Sequence, residues 1–124
     1  MAHGSNVRTG RAGEDLAAAF LEQNGHEILD RNFKCRCGEI DIISRQDGTF
    51  VFSEVKARSS AVYGLPSEAV DYHKRKRISD AAAWYLYHTY HNMDLPCRFD
   101  VIAVSGNHCK IYENAFEYCG YLQS

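Results

Sequence analysis

The segment Gly38–Lys56, GEIDIISRQDGTFVFSEVK, decides the fold that the sequence predicts. Two runs rich in Ile, Val and Phe flank the dipeptide Asp47-Gly48. This dipeptide favours a two-residue type I′ turn, because both central positions of that turn need φ > 0. We therefore predict a β-hairpin whose loop is Asp47-Gly48 and in which Gln46 faces Thr49.

The same register brings charged side chains together. Asp41 is predicted to face Glu54, and Glu39 to face Lys56, with side chains alternating between the two faces of each strand. Like charges directly opposed, with Cβ atoms roughly 5 Å apart, destabilise a hairpin unless a cation lies between them. Mg²⁺ takes oxygen ligands from one or two carboxylates, and a nearby Lys can assist a nucleophilic water. The hairpin therefore predicts a divalent metal site.

A second interpretation of the alternation is a solvated sheet face, on which Glu39 and Lys56 form an ordinary surface ion pair. The predicted charged face also carries apolar side chains, namely Ile43, Phe50 and Phe52, whereas the other face carries Ile40, Ile42, Val51 and Val55. Both faces are thus predicted to be buried, and buried charges need partners or metals.

Composition indicates one globular domain. The chain has 124 residues, of which 45% are hydrophobic and 24% charged, which are ordinary values for a single domain. We place this domain at residues 9–112, between a flexible N-terminus (1–8) and a tail (113–124) that packs on the domain or trails from it. The sequence contains no apolar run of membrane-spanning length and no apolar signal region, so it predicts a cytoplasmic protein with no membrane partner.

The cysteines have two interpretations. Five cysteines, an odd number without a secretory signal, favour reduced thiols over a disulfide framework. Cys35 and Cys37, with Cys109, Cys119 and six histidines, raise the alternative of a zinc- or thiol-based regulatory protein. Paired C-x-x-C motifs are missing from the sequence, so zinc is not expected.

Positive charge is local rather than global. The formal net charge is −2, which is not the signature of a nucleic-acid-binding protein. Many of the basic residues nevertheless lie in the central third of the chain, before and after the hairpin and in the run 73–77. This run has the alternative interpretation of a solvated helix surface.

The first helix is predicted from Thr9 to Asn24, with Gly25 ending it. Glu14 falls on the apolar side of this helix, so its carboxylate is predicted to point toward the sheet as a further acidic group near the hairpin. A carboxylate in a first helical turn can instead simply complement the helix dipole, and the sequence leaves both interpretations open.

The remaining elements predict a mixed α/β sandwich around one sheet. Strands are predicted at Glu27–Cys35, in the hairpin, at Arg98–Ser105 and at Cys109–Tyr112. A second helix is predicted from about Glu68 to His91, either continuous or with a break, with Ser67 as its cap. Lys74 extends the apolar stripe of this helix and is predicted to point inward. Asp100, in the fourth strand, is predicted to be a structural or capping group.

Five segments carry a resemblance to a known family. Asp41 followed by Glu54-Val55-Lys56 matches the D…(D/E)-x-K pattern of the restriction-endonuclease-like superfamily, and Glu14 on the preceding helix gives an order similar to archaeal Holliday-junction resolvases. More widely, the chain resembles the small bacterial YraN-type proteins, described as predicted endonucleases of that superfamily. The segments are GRAGEDLAAAFLEQNG, RNFKCRCGEIDII, FVFSEVKARSS, GLPSEAV with the Lys/Arg cluster that follows it, and RFDVIAV.

The resemblance implies a fold and a set of site residues. The fold is a restriction-endonuclease-like core, with a central mixed sheet of about five strands flanked by helices. One or two Mg²⁺ or Mn²⁺ ions would be held by Asp41, Glu54 and the backbone carbonyl of Val55. Lys56 would orient or activate the attacking water. Glu14 would bind a second metal or hold a water.

Glu39 has a supporting role in this scheme, in which it positions the ammonium group of Lys56. The implied activity is hydrolysis of phosphodiester bonds in DNA, favoured over RNA, with structure-selective or non-specific binding. The backbone contacts would come from Arg31, Lys34, Arg36, Arg58, Lys74, Arg75, Lys76 and Arg77. Many nucleases of this fold act as dimers, so a homodimer is also implied. The alternative is a nucleic-acid-binding module of the same fold that assists a repair or recombination partner.

Overall fold

A five-stranded mixed sheet organises the protein. The structure, a computed structural model, describes residues 2–57 and 70–120, with side chains from residue 11 onward. Its elements are α1 (Ala2–Gln23), β1 (Glu27–Cys35), β2 (Gly38–Gln46), β3 (Thr49–Ala57), α2 (Tyr72–Tyr90), β4 (Cys97–Ser105) and β5 (His108–Phe116). The strands lie in the order β1-β2-β3-β4-β5, with β3 and β4 parallel and the other neighbours antiparallel. The predicted mixed sheet of about five strands flanked by helices is confirmed.

The turn between β2 and β3 has the predicted geometry. Asp47 and Gly48 have φ values of 52° and 80°, as a type I′ turn requires. Gln46 pairs with Thr49, so the turn sets the register of the hairpin as the sequence predicted.

The hairpin opens at its far end. Its register of paired Cα atoms reaches Ile42 and Ser53. Beyond that pair, the N–H of Val55 donates to Oδ2 of Asp41 at 2.8 Å. On the side of β3 that faces β2, the N–H of Val55 thus bonds to a side-chain oxygen of β2 rather than to a backbone carbonyl of β2.

Two predicted pairs are consequently wrong. Asp41 with Glu54, and Glu39 with Lys56, lie beyond the paired register of the hairpin. The physical reason is the Asp41 side chain, which captures the Val55 N–H and ends the regular ladder. Because β3 continues to pair with β4 as far as Ala57, the carboxylates come together where β2 and β3 separate.

The two helices cover opposite faces of the sheet. The core on the α2 face consists of Ile40, Ile43, Phe50, Phe52, Val70, Ile78, Ala81, Ala82, Tyr85, Leu86, Phe99, Val101 and Phe116. The core on the α1 face consists of Ala17, Ala18, Leu21, Ile42, Ile102 and Val104. Ile40 and Ile42 lie on opposite faces, so the strict alternation predicted for β2 fails at Asp41. Since both faces of the hairpin pack against a helix, the interpretation as a solvated sheet face is wrong.

Element boundaries depart from the sequence prediction at several ends. Helix α1 is assigned from Ala2 rather than Thr9, while the flexibility of residues 1–8 stays a prediction. Asp71 caps α2 by accepting the N–H of Lys74 at 2.8 Å, and the predicted cap Ser67 lies outside the described residues. Strand β5 ends at Phe116 rather than Tyr112, so the first residues of the predicted tail belong to the sheet.

Gly38, the first residue of β2, lies directly against α2. A Cβ atom at this position would be 2.8 Å from the carbonyl oxygen of Arg77 and 3.1 Å from the Cβ atom of Arg77. We expect Gly38→Ala to lower the free energy of unfolding by about 1–3 kcal/mol, because backbone atoms must shift to relieve the contact. Urea unfolding measures this change.

The matched control is Gly13→Ala in α1. There a Cβ atom would be 3.8 Å from Cγ1 of Val104, an ordinary contact, and Ala is about 0.5–1 kcal/mol more favourable than Gly within a helix. Equal unfolding midpoints for the two variants would show that β2 and α2 are not in the close contact described.

Candidate functional site

Asp41 on β2 and Glu54 on β3 form the centre of the candidate site. Glu54 is only 4% exposed, and it faces α2, whereas Asp41 is half-buried at the point where the hairpin opens. Burial, followed by the negative charge of Glu54, raises the pKa of Asp41 from 3.8 to about 7, although the Val55 N–H opposes the shift. The predicted juxtaposition of these two carboxylates is thus present, but through the opening of the strands rather than direct pairing.

Two lysines approach the same oxygen of Glu54. Nζ of Lys74 on α2 lies 2.5 Å from Oε2 of Glu54, and Nζ of Lys56 on β3 lies 3.6 Å from it. Burial opposes the charged form of Lys74, but the hydrogen bond and the charge of Glu54 outweigh it and raise the pKa of Lys74. The sequence correctly placed Lys74 on the inward side of its helix but assigned it to nucleic-acid contact alone. Its contact with Glu54 depends on how α2 packs across β3.

Glu39 lies apart from Lys56. The ion pair that Lys56 forms joins it to Glu54 on its own strand, so the predicted positioning of Lys56 by Glu39 is wrong. Glu39 is exposed and lines a cleft between β2 and α2. Among the described residues, this cleft has a volume of about 460 Å³ and is lined by Glu39, Asp71, His73, Lys74, Arg77 and Ile78.

Glu14 approaches the site from α1. Its side chain is 12% exposed, and its Oε1 accepts hydrogen bonds from Nη2 of Arg31 at 3.2 Å and from Nδ2 of Asn32 at 2.8 Å. The charge of Glu14 also contributes to the raised pKa of Asp41. Because α1 begins at Ala2, Glu14 lies in the middle of the helix, and the first-turn interpretation is wrong. Sequence reasoning missed Asn32, whose left-handed φ of 54° was not signalled by any motif.

The predicted basic residues fall into distinct groups. Arg31 is held by Glu14 and Asp15, Nε of Arg75 donates to the Val70 carbonyl at 2.9 Å, and Nζ of Lys76 donates to the Cys119 carbonyl at 3.3 Å. The exposed members of the set are Lys34, Arg36 and Arg77. Arg58 lies outside the described residues. The structure therefore gives Arg31 a structural contact, while the predicted nucleic-acid contacts stay predictions.

Two carboxylates make up the candidate donor set for a cation. Asp41 and Glu54 are two carboxylates in mutual repulsion, one buried and one with a raised pKa, and Mg²⁺ is commonly bound through one or two carboxylates together with waters. Within residues 2–57 and 70–120, no group of three or more His, Cys, Asp and Glu side chains could hold a metal ion. Among the described residues, Asp41 and Glu54 are therefore a pair of carboxylates that Glu14 does not join as a third ligand.

The fold and the site define an α/β protein whose mixed sheet and two helices are compatible with a restriction-endonuclease-like core. A family model described as "Uncharacterised protein family UPF0102" matches residues 13–104, and the chain belongs to this family. It is 48% identical over 116 residues to a UPF0102 protein of Syntrophus aciditrophicus, covering 90% of this chain and 91% of that protein. It is 50% identical over 100 residues to a UPF0102 protein of Geobacter sulfurreducens, covering 81% and 77%.

The family match includes every candidate carboxylate and lysine of the site. Residues 13–104 run from α1 through almost all of β4. They contain Glu14, Glu39, Asp41, Glu54, Lys56 and Lys74. The resemblance of the five sequence segments to the small bacterial YraN-type family is therefore confirmed at the level of the family, while the nuclease assignment stays a prediction. Neither helix in the described part of the chain is long and apolar enough to cross a lipid bilayer.

Proposed function

We propose that this protein is a Mg²⁺- or Mn²⁺-dependent nuclease that hydrolyses phosphodiester bonds in DNA, with structure-selective or non-specific binding. The observation that carries the proposal is the carboxylate pair: Glu54 is buried, and burial and then the charge of Glu54 raise the pKa of Asp41 to about 7. Two carboxylates placed side by side in this way stay ionised together only with a cation beside them. Perturbed carboxylates beside a lysine and a cleft are a common feature of catalytic sites.

Each side chain has a defined task in this proposal. Asp41 and Glu54 would hold the cation, with the Val55 carbonyl as a further ligand, and the cation would supply positive charge next to the scissile phosphate. Lys56 orients the attacking water and stabilises the negative charge that develops on the phosphoryl oxygens. Arg31 and Asn32 fix the Glu14 carboxylate, which faces Asp41 from the α1 side.

Basic side chains around the site supply the affinity for the nucleic-acid backbone. Exposed Lys34, Arg36 and Arg77 are accessible to phosphates, and such contacts give salt-dependent binding without sequence information. These groups recognise a polyanion, and DNA is proposed over RNA on the family resemblance.

Cleavage of a labelled substrate panel tests the proposal. The panel contains single-stranded, duplex, flapped and four-way-junction DNA together with RNA, each incubated with Mn²⁺ and wild-type protein or Glu54→Gln. We expect the wild type to cut DNA and the variant to be slower by at least about 100-fold, since a carboxylate that holds the cation is lost. Gln keeps the size of Glu54 and can still accept a hydrogen bond from Lys74, so we expect Glu54→Gln to fold. Circular dichroism of the variant checks this expectation.

A second candidate function is a nucleic-acid-binding module without catalysis. The observation in its favour is the Lys74–Glu54 ion pair, in which a protein cation already offsets the charge of the buried carboxylate. Calcium titration separates the two candidates. The nuclease proposal requires that wild type bind Ca²⁺ and that Glu54→Gln lose this binding. Salt-sensitive DNA binding with neither Ca²⁺ binding nor cleavage would contradict it and favour the binding module.

A further inference from the structure

Lys74 lies at the boundary between the carboxylates and the cleft beside α2. Its Nζ is 2.5 Å from Oε2 of Glu54, while its side chain also forms part of the cleft wall. The side chain is 44% exposed, so the long flexible stem is accessible to solvent on the cleft side. Lys74 can therefore reach two environments from a single backbone position.

A divalent cation and Lys74 compete for Glu54. Both are positive, and a cation bound through Oε2 would lie next to the ammonium group of Lys74. In a partly buried site such repulsion is screened far less than in water. Cation binding therefore favours a conformation in which Lys74 has left Glu54.

The cleft carries further cationic or titratable side chains beside Lys74. Its walls include the cationic or titratable side chains of His73 and Arg77, both exposed. The cleft has two acidic residues. Asp71 is engaged as the cap of α2, and Glu39 is exposed. The volume of about 460 Å³ lies in the range of small-molecule sites. Lysine and arginine converging on one cleft are the usual ligands of a phosphate group.

We propose that Lys74 exchanges between two ligands: it holds Glu54 in the cation-free protein, and when a divalent cation takes Glu54 it turns into the cleft, where together with His73 and Arg77 it binds a phosphate group of the substrate strand. This inference rests on the proposed function and specifies how its site responds to the cation. Because coupling between two ligands is reciprocal, the cation strengthens phosphate binding and the phosphate strengthens cation binding through the same side chain.

The test measures Ca²⁺ affinity by calorimetry and DNA affinity by fluorescence anisotropy, with Ca²⁺ as the probe cation. Lys74→Met keeps the apolar stem and removes the charge. We expect Lys74→Met to bind Ca²⁺ about tenfold more tightly in the absence of DNA, and to lose about tenfold in DNA affinity only when Ca²⁺ is present, within the range typical of coupled sites. Arg45→Met is the matched control, because it removes one positive charge at the turn end of the hairpin.

The outcomes separate this inference from the proposed function. If Lys74→Met binds Ca²⁺ as the wild type does, or loses DNA affinity equally with and without Ca²⁺, Lys74 is an ordinary surface cation and the exchange is overturned while the nuclease proposal stands. If the wild type neither binds Ca²⁺ nor cuts DNA with Mn²⁺, both fail. Lys74→Arg retains the charge and should restore Ca²⁺-dependent DNA binding, which excludes a folding defect as the cause of the loss.

The source of the phosphate is resolved by the end chemistry of the probe. Oligonucleotides of one sequence carry either a 5′-phosphate or a 5′-hydroxyl group. A preference of the wild type for the 5′-phosphate that Lys74→Met loses assigns the cleft to a terminal phosphate. A Lys74 effect that is equal for both ends assigns it to an internal phosphodiester. Either result supports a phosphate site in the cleft. If wild type and Lys74→Met bind both oligonucleotides with equal affinity, the phosphate site is overturned.

Discussion

Asp41→Asn is expected to be more stable than the wild type at pH 8 and to lose divalent-cation binding. The Asn side chain has the size of Asp and retains an oxygen that accepts the Val55 N–H, now 2.8 Å from Oδ2. The substitution also removes the negative charge of Asp41, which burial and the neighbouring charge of Glu54 disfavour. The same substitution therefore relieves repulsion in the cation-free protein and deletes a carboxylate that the proposed cation needs.

The pH dependence of this stabilisation follows from the pKa of Asp41, which is 3.8 for an ordinary Asp and about 7 in the folded protein. Between these pH values the folded state binds a proton that the unfolded state has released. The contribution of Asp41 to the free energy of unfolding of the wild type therefore falls as pH rises from about 4, and the loss is complete above about pH 7. It amounts to a few kcal/mol, since one pKa unit corresponds to about 1.4 kcal/mol.

Urea unfolding of wild type and Asp41→Asn at pH 5 and pH 8 measures the effect. The variant should gain stability at both values and gain more at pH 8, because wild-type Asp41 is still mostly protonated at pH 5. Asp15→Asn is the control, since Asp15 is an exposed carboxylate paired with Arg31 and surface pairs contribute about 0–1 kcal/mol. A gain for Asp41→Asn that does not depend on pH would contradict the raised pKa.

The turn of the hairpin could be predicted from the sequence because its cause is local. Asp47 and Gly48 both need φ > 0, and this backbone requirement is a property of the dipeptide itself. The pairing next to the turn and the two buried faces follow from it together with the apolar pattern. The inward orientation of Glu14 and Lys74 was also predictable, since helical periodicity fixes which side of a helix faces the sheet.

The details of the site could not be predicted, because they depend on contacts between distant segments. The alternation of β2 breaks at Asp41, where a side chain rather than the backbone accepts the Val55 N–H. Lys74 reaches Glu54 only because α2 crosses β3 at this point. In the same way, the contact of Arg31 with Glu14 depends on how α1 packs against β1, and no local pattern indicated it.

The start of α2 shows which capping residue the described part of the chain uses. Ser67 and Asp71 are both favourable capping residues, and sequence alone does not rank them. In the structure Asp71 accepts the N–H of Lys74, which sets the first turn of α2 and with it the position of the Lys74 side chain. The Asp71 cap thus fixes the turn on which Lys74 lies, while Ser67 lies outside the described residues.

Lys56→Met is expected to lower the rate of Mn²⁺-dependent cleavage by on the order of 10²–10³-fold, the loss typical for removing a group that stabilises transition-state charge. Ca²⁺ affinity should change by no more than a few-fold. The reason is geometric: Nζ of Lys56 lies 3.6 Å from Oε2 of Glu54, beyond hydrogen-bonding distance, whereas Lys74 lies at 2.5 Å. Lys56 is therefore not the group that holds Glu54 in place.

Single-turnover cleavage and Ca²⁺ calorimetry on Lys56→Met and Lys74→Met distinguish the two lysines. Lys56→Met should lose cleavage with little change in cation affinity, and Lys74→Met should gain cation affinity because a competing charge is gone. If Lys56→Met retained the wild-type rate, its role in catalysis would be refuted. If it gained Ca²⁺ affinity as much as Lys74→Met, both lysines would be counterions of Glu54. Only a lysine that contacts Glu54 directly must be displaced before a cation can bind. A gain of Ca²⁺ affinity in Lys74→Met alone would therefore show that Lys74 holds Glu54 in the cation-free protein. A loss of cleavage without that gain in Lys56→Met would assign Lys56 to the reacting phosphate.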